Sequence, residues 1–150
     1  MKNKIPPPVL LLVTGAMMWF VAHSSFAVSF SVPYPLFVAI GVASIGVAID
    51  IFAIREFRSV KTTVNPLRPE NASTLVRGGI FNKSRNPMYL GMLFLLSGWA
   101  IWLGSASNIV VIVLFVPLIT QLQIKPEEAA LRTLFGQDYV DYCEQVGRWV

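Results

Sequence analysis

The feature that most constrains this chain is how its apolar runs alternate with its cations. Four apolar runs cover about residues 5–22, 34–54, 88–103 and 109–124. All twelve Lys and Arg residues lie outside them, in three blocks. Lys2 and Lys4 precede the first run. Arg55, Arg58, Lys61, Arg68, Arg77, Lys83 and Arg85 separate the second from the third. Lys125, Arg132 and Arg148 follow the fourth. The connections from His23 to Pro33 and from Gly104 to Asn108 carry no cation. If each run crosses a bilayer, every cation falls on one side, and the positive-inside rule makes that side cytoplasmic. A spanning helix needs about 20 apolar residues. The second run meets this length, and the shorter three are expected to end within the interface or tilt little.

Composition supports the lipid reading. Hydrophobic residues make up 55% of the 150 positions and charged residues 13%, against about 25% charged in a soluble domain. A chain this short has too little interior to hide so much apolar surface. Disorder is excluded, because it needs low hydrophobicity and high charge. With Cys143 the one cysteine and His23 the one histidine, neither a disulfide scaffold nor a Cys/His zinc site can be built, and no metal is expected. The net charge of +4 follows from topology and attraction to anionic lipid, so nucleic acid is not an expected partner. The first run has a leader-like layout, with Lys2 and Lys4 ahead and Ala22-His23-Ser24-Ser25 behind. His23 fits the small-residue cleavage pattern poorly, so an uncleaved span is expected. The expected fold is a single all-α integral membrane bundle of four transmembrane helices in a bacterial-type inner or plasma membrane. A cytoplasmic connection (55–87) and cytoplasmic C-terminal helices (126–148) complete it, with both termini cytoplasmic.

The two long polar segments lie on the same side, so chemistry is expected at that membrane surface. In the tail, Pro126 suits a first helical turn and Glu127-Glu128 complement its dipole. Leu131, Leu134 and Phe135 share a face, Gly136 interrupts, and Tyr139, Tyr142, Cys143 and Val146 continue at 3-4 spacing. In the connection, Gly78-Gly79 permits close backbone approach. Asn86-Pro87 reads as an N-cap and first turn of the third span, with Arg85 beside it as a cation for a carboxylate, phosphate or lipid head group. Asp50, near the end of the second span, is an intramembrane carboxyl within reach of Arg55. Cys143 reads as a small apolar contact, and Pro117 as a kink in the fourth span.

Arg85-Asn86-Pro87-Met88-Tyr89-Leu90-Gly91, followed after a hairpin by Glu127-Glu128-x-x-Leu131-x-x-x-Phe135-Gly136-x-x-Tyr139-x-x-Tyr142, resembles the isoprenylcysteine carboxyl methyltransferase family and the related phospholipid methyltransferases. Leu75-Val76-x-x-Gly79-x-Phe81 adds to the likeness, which covers about residues 62 to 148. The resemblance implies a membrane methyltransferase that uses S-adenosylmethionine, with its cofactor at the cytoplasmic end of the last two spans. Carried over by position, the cofactor site takes Ser73, Thr74, Leu75, Val76, Phe81, Asn86, Pro87, Met88, Tyr89 and Glu127. Arg85 and Glu128 are the catalytic candidates. Phe81 stands where eukaryotic members have tyrosine and Asn86 where they have histidine, which removes a titratable proton. Gln123 falls at the substrate-contacting position, an arginine in the family, so the cation for a prenylcysteine carboxylate is missing. The expected acceptor is a lipophilic or small molecule. Two other readings compete: a small four-span transporter using Asp50, and a sterol-type membrane reductase.

Overall fold

The computed structural model describes residues 5–60 and 73–150; of the cations above, Lys2, Lys4, Lys61 and Arg68 lie outside this set. The apolar runs form helices α1 (Pro7–Ala22), α2 (Pro35–Ser59), α3 (Pro87–Leu103) and α4 (Asn108–Ile119). A π-helical turn, Thr120–Ile124, joins α4 without a break to α5 (Lys125–Phe135), and α6 (Gln137–Gln145) follows. A short 3-10 turn, Gly79–Asn82, precedes α3. Among the described residues the fold is all-α, with one isolated bridge between Ser29 and Ser105. Three of the four main helices open with proline in the first turn, where its missing N–H costs nothing. Gly104 closes α3 at φ 61°, a left-handed cap that glycine adopts without strain. In the tail, Gly136 divides α5 from α6, as its position in the sequence suggests.

The helix α2 runs five residues past the expected span end, because Arg55, Glu56 and Arg58 extend it into the polar zone. By length and apolarity two helices can cross a membrane, α2 and the continuous helix Asn108–Phe135. The helices α1 and α3 are apolar but have 16 and 17 residues. The outer faces of α1 and α2 carry large unburied side chains, with Leu12 72% and Phe20 67% exposed on α1 and Phe37 73% exposed on α2. Apolar surface on this scale marks a lipid or partner contact.

The helices α2 and α3 pack backbone to backbone. A Cβ added to Gly46 would lie 2.6 Å from the Gly91 carbonyl oxygen, and one on Gly98 would lie 2.7 Å from the Ala39 carbonyl oxygen. Small residues at an apolar interface allow this approach. Leu10 and Met18 of α1 join Tyr89, Met92 and Leu96 of α3 and Phe115 and Ile119 of α4 in the main core. At one end, the two uncharged connections bind each other. The Phe30 N–H donates to the Gly104 carbonyl (2.9 Å), the Ala106 N–H donates to the Val28 carbonyl (2.7 Å), and Ser107 Oγ bridges the same loops. This pairing puts both cation-free connections at one end and gathers Arg55, Arg58, Arg77, Lys83, Arg85, Lys125, Arg132 and Arg148 at the other.

The seam gives a signed test. Alanine normally gains up to about 1 kcal/mol over glycine in a helix. We expect Gly41→Ala, which meets nothing within 4 Å, to be neutral or stabilising. We expect Gly46→Ala to lose about 1–3 kcal/mol through overpacking. Unfolding in detergent micelles measures both, and equal behaviour of the two variants would contradict the seam.

Candidate functional site

The π turn determines what the polar end can build. In an unbroken α-helix Glu127 would stand about 80° around the axis from Ile119. A π turn absorbs one extra residue and returns Glu127 to the inward line of Phe115 and Ile119, which are 1% and 0% exposed. Gln123 and Ile124, consecutive in sequence, are both buried there. Pro126 lies just beyond; it donates no N–H, and its ring crowds the carbonyl a turn back. Tyr89 lies in the first turn of α3 and faces the same core. Its hydroxyl donates to Glu127 Oε1. Tyr89 is buried and Glu127 half-buried.

Glu128, the next residue, turns the other way. Arg148 forks onto it, with Nε donating to Oε1 at 2.9 Å and Nη2 to Oε2 at 2.7 Å. Arg85 Nη2 stands 3.5 Å from Oε1. The two arginines thus share one carboxylate. Arg85 Nη1 donates to Cys143 Sγ, while its buried Nε has no hydrogen-bond partner among the described residues. Burial raises the Glu127 carboxyl to about 8, against a lowering by the Tyr89 hydrogen bond and a further rise from Glu128. Burial also raises the Tyr139 hydroxyl, and pushes that of Tyr142 up to about 12 although Arg85 opposes it.

The segment before α3 wraps this end. Val76, Phe81 and Met88 pack with Ala53 and Phe57 of α2, the Phe57 and Phe81 rings meeting edge-on at 5.2 Å and 81°. Leu75 packs instead with Tyr139 and Tyr142. The Tyr142 hydroxyl donates to the Phe81 carbonyl at 2.7 Å, and Arg77 Nη2 donates to the Asp138 carbonyl at 2.6 Å. Ser73 and Thr74 are exposed at the start of this segment.

The candidate residues therefore fall into four groups. Tyr89 meets Glu127, and Arg85 meets Glu128. Asn86 and the buried Pro87 lie at the start of α3, and Leu75, Val76, Phe81 and Met88 form apolar walls. Gln123 stands apart, 1% exposed, its Nε2 donating to the Ile5 carbonyl at 2.6 Å. Four expectations change. Asn86 holds the N-cap position without capping; its Nδ2 donates to the Arg148 carbonyl at 3.0 Å, a tertiary partner outcompeting the local one. Gly78 and Gly79 lie against the Glu56 carboxylate, which repels an anionic ligand there. Cys143 is a guanidinium contact rather than a purely apolar one. Asp50 lies against Gly91 and makes no ion pair with Arg55 among the described residues; its Oδ1 is buried without a hydrogen-bond partner. The role of Arg148 escaped the sequence reading, since no motif or periodicity marks it.

A family model described as phospholipid methyltransferase matches residues 34–138, from the residue before α2 into α6. An uncharacterized protein of Haemophilus influenzae is 38% identical over 63 residues, which is 42% of this chain and the whole of that protein. Neither comparison favours a transporter or a reductase.

Glu127 lies beyond the apolar part of its helix, and its displaced proton affinity predicts a pH effect. A carboxyl raised from the usual 4.5 to about 8 is stabilised in its protonated form. Its contribution is complete below about pH 4.5 and is lost as pH rises through about 8. The melting temperature in detergent is expected to fall across that window, and to fall less in Glu127→Gln. Parallel pH profiles would contradict the assignment.

Proposed function

The chain belongs to the phospholipid methyltransferase family, and from that premise we propose an integral membrane enzyme that methylates a lipid-soluble or small acceptor from S-adenosylmethionine at the cytoplasmic face. The observation that carries this reading is the meeting of Tyr89 with Glu127. It brings the start of α3 and the acidic start of α5 into one polar site next to a buried apolar core. The residues present fit the cofactor's chemistry. An ammonium group needs acceptors, which Glu128 offers as a carboxylate and Glu127 as a carboxyl whose raised proton affinity a bound cation lowers. A carboxylate needs donors, and the unpartnered Nε of Arg85 is one. A sulfonium favours aromatic faces, and Tyr89, Phe81 and Tyr139 supply them. Leu75, Val76, Met88 and Pro87 give the apolar walls, with Asn86 as an amide donor and Ser73 and Thr74 at the margin.

When bound, the cofactor would supply an electrophilic methyl group, open to in-line attack by the acceptor at the methyl carbon, and a neutral thioether as the leaving group that takes the carbon–sulfur electron pair. The chain's own part is to orient and to exclude water. Orientation alone is worth several kcal/mol of barrier, and this site is held by two rigid helix starts. In this reading Arg85 and Glu128 keep the charge at the reacting end fixed. Gln123 spends its Nε2 on the Ile5 carbonyl but keeps a buried Oε1 with no hydrogen-bond partner among the described residues; in this reading that oxygen is the group offered to the acceptor, which suits an amine or hydroxyl better than a carboxylate. Glu127, with its raised proton affinity, is the carboxyl best matched to hold a proton near neutral pH.

We read the topology as four spans with both termini cytoplasmic. At 1.5 Å per residue α1 and α3 measure about 24–26 Å, a little under the hydrocarbon thickness of about 30 Å. Local thinning and flanking residues accommodate such a mismatch at modest cost. The lipid-exposed faces of α1 and α2 then meet acyl chains, and the acceptor arrives laterally from the bilayer.

Purified full-length protein in detergent is expected to bind S-adenosylhomocysteine. Hydrogen bonds to charged groups are worth about 1.5–3 kcal/mol, so Glu127→Ala should weaken binding about tenfold or more. Tyr89→Phe should weaken it less. Calorimetric titration measures this; affinity indifferent to changes at Glu127, Asn86 and Tyr89 would overturn the site.

A further inference from the structure

Three residues after α6 make a set of contacts that the proposed reaction does not use. The Arg85 backbone N–H donates to the Gly147 carbonyl at 3.0 Å. Asn86 Nδ2 donates to the Arg148 carbonyl at 3.0 Å. The Arg148 guanidinium takes both oxygens of Glu128. Trp149 packs against the core cluster that contains Tyr89 and Ile124. Gly147–Trp149 thus lies as a strap from the start of α3 to the start of α5.

The strap's chemistry imitates a ligand. A guanidinium on Glu128 brings the charge and donors that a ligand's ammonium would bring. A backbone carbonyl on the Asn86 amide is the acceptor that a ligand's oxygen would be. We propose that Gly147–Trp149 is a built-in competitor, which occupies Asn86 and Glu128 in the free chain and is displaced from them when the sulfonium nucleoside binds. The inference rests on the cofactor reading above, because it needs Asn86 and Glu128 to face that ligand.

The geometry indicates which partner leaves. The Arg148 side chain is 37% exposed, while those of Arg85 and Glu128 are 12% and 15% exposed. Removing the partner of a buried charge is costly when nothing replaces it. Here Arg85 stays 3.5 Å from Glu128, so the carboxylate keeps a cation when Arg148 withdraws into water. The strap's release therefore leaves no isolated charge behind. The pair is bidentate and part-buried, so its release has a cost, which the incoming ammonium offsets by taking over the same carboxylate; this keeps the competition reversible.

The test uses full-length protein in detergent, S-adenosylhomocysteine, calorimetry and amide hydrogen exchange. We expect Arg148→Ala to bind S-adenosylhomocysteine about two- to fivefold tighter, with Arg148→Lys restoring affinity toward that of the unaltered chain. In the unaltered chain, saturating ligand is expected to speed exchange at the Arg85 amide, whose acceptor is the Gly147 carbonyl. This second readout needs no variant to fold. If the unaltered chain binds the ligand, but Arg148→Ala does not bind tighter and Arg85 exchange stays unchanged or slows, the strap proposal is overturned and the cofactor reading stands. If neither the unaltered chain nor Arg148→Ala binds, the cofactor reading falls, and the strap proposal with it.

Discussion

Hydrocarbon cannot solvate a charge, and this one constraint organises the molecule. A helix as apolar and open as α2, long enough to cross a membrane, can carry cations only where it leaves the lipid. The described cations accordingly gather at one end, and the two uncharged connections bind each other at the opposite end. Any site for a charged small molecule is thereby confined to a thin polar layer. That layer is formed by the end of α2, the segment before α3, and the α5–α6 tail. The close α2–α3 seam fixes where α3 begins, and so where Arg85, Asn86 and Tyr89 stand.

Within the layer, consecutive glutamates have different tasks because a helix turns. The π turn at Thr120–Ile124 sends Glu127 inward to the Tyr89 hydroxyl and leaves Glu128 to the two arginines. One carboxyl is buried with a neutral partner and holds its proton up to about pH 8. The other is compensated by nearby guanidinium groups. A pair of carboxyls in such unlike settings is what division of labour at a site requires. The same layer explains why the strap can reach both helix starts: only a few residues are needed to bridge them.

Much of this was legible in the sequence, and the reason is periodicity. The helix starts at Pro7, Pro35 and Pro87 fall within two residues of the apolar run boundaries, since proline and apolar runs are local signals. The break at Gly136 was legible for the same reason. The end of α2 was not, because charged residues at a helix end carry the helix beyond the lipid while breaking the apolar pattern. The convergence of α3 with α5 could be expected only from family likeness, since no spacing rule relates residues 89 and 127. The Glu56 contact with Gly78-Gly79 and the Arg148 clamp are tertiary outcomes, each set by a neighbour distant in sequence, whereas the π turn sits beside Pro126, whose ring marks a disturbed helix but not which kind.

At the centre of the proposal, the contact of Tyr89 with Glu127 marks one site for S-adenosylmethionine at the polar end. Irradiating the full-length protein with radiolabelled S-adenosylmethionine and mapping the labelled peptides tests it most directly. The account predicts label in the peptides that carry residues 85–92 and 125–132, displaced by excess S-adenosylhomocysteine. Label confined to α1 or to the loops joining Ser29 and Ser105, or label that excess ligand does not displace, would contradict it.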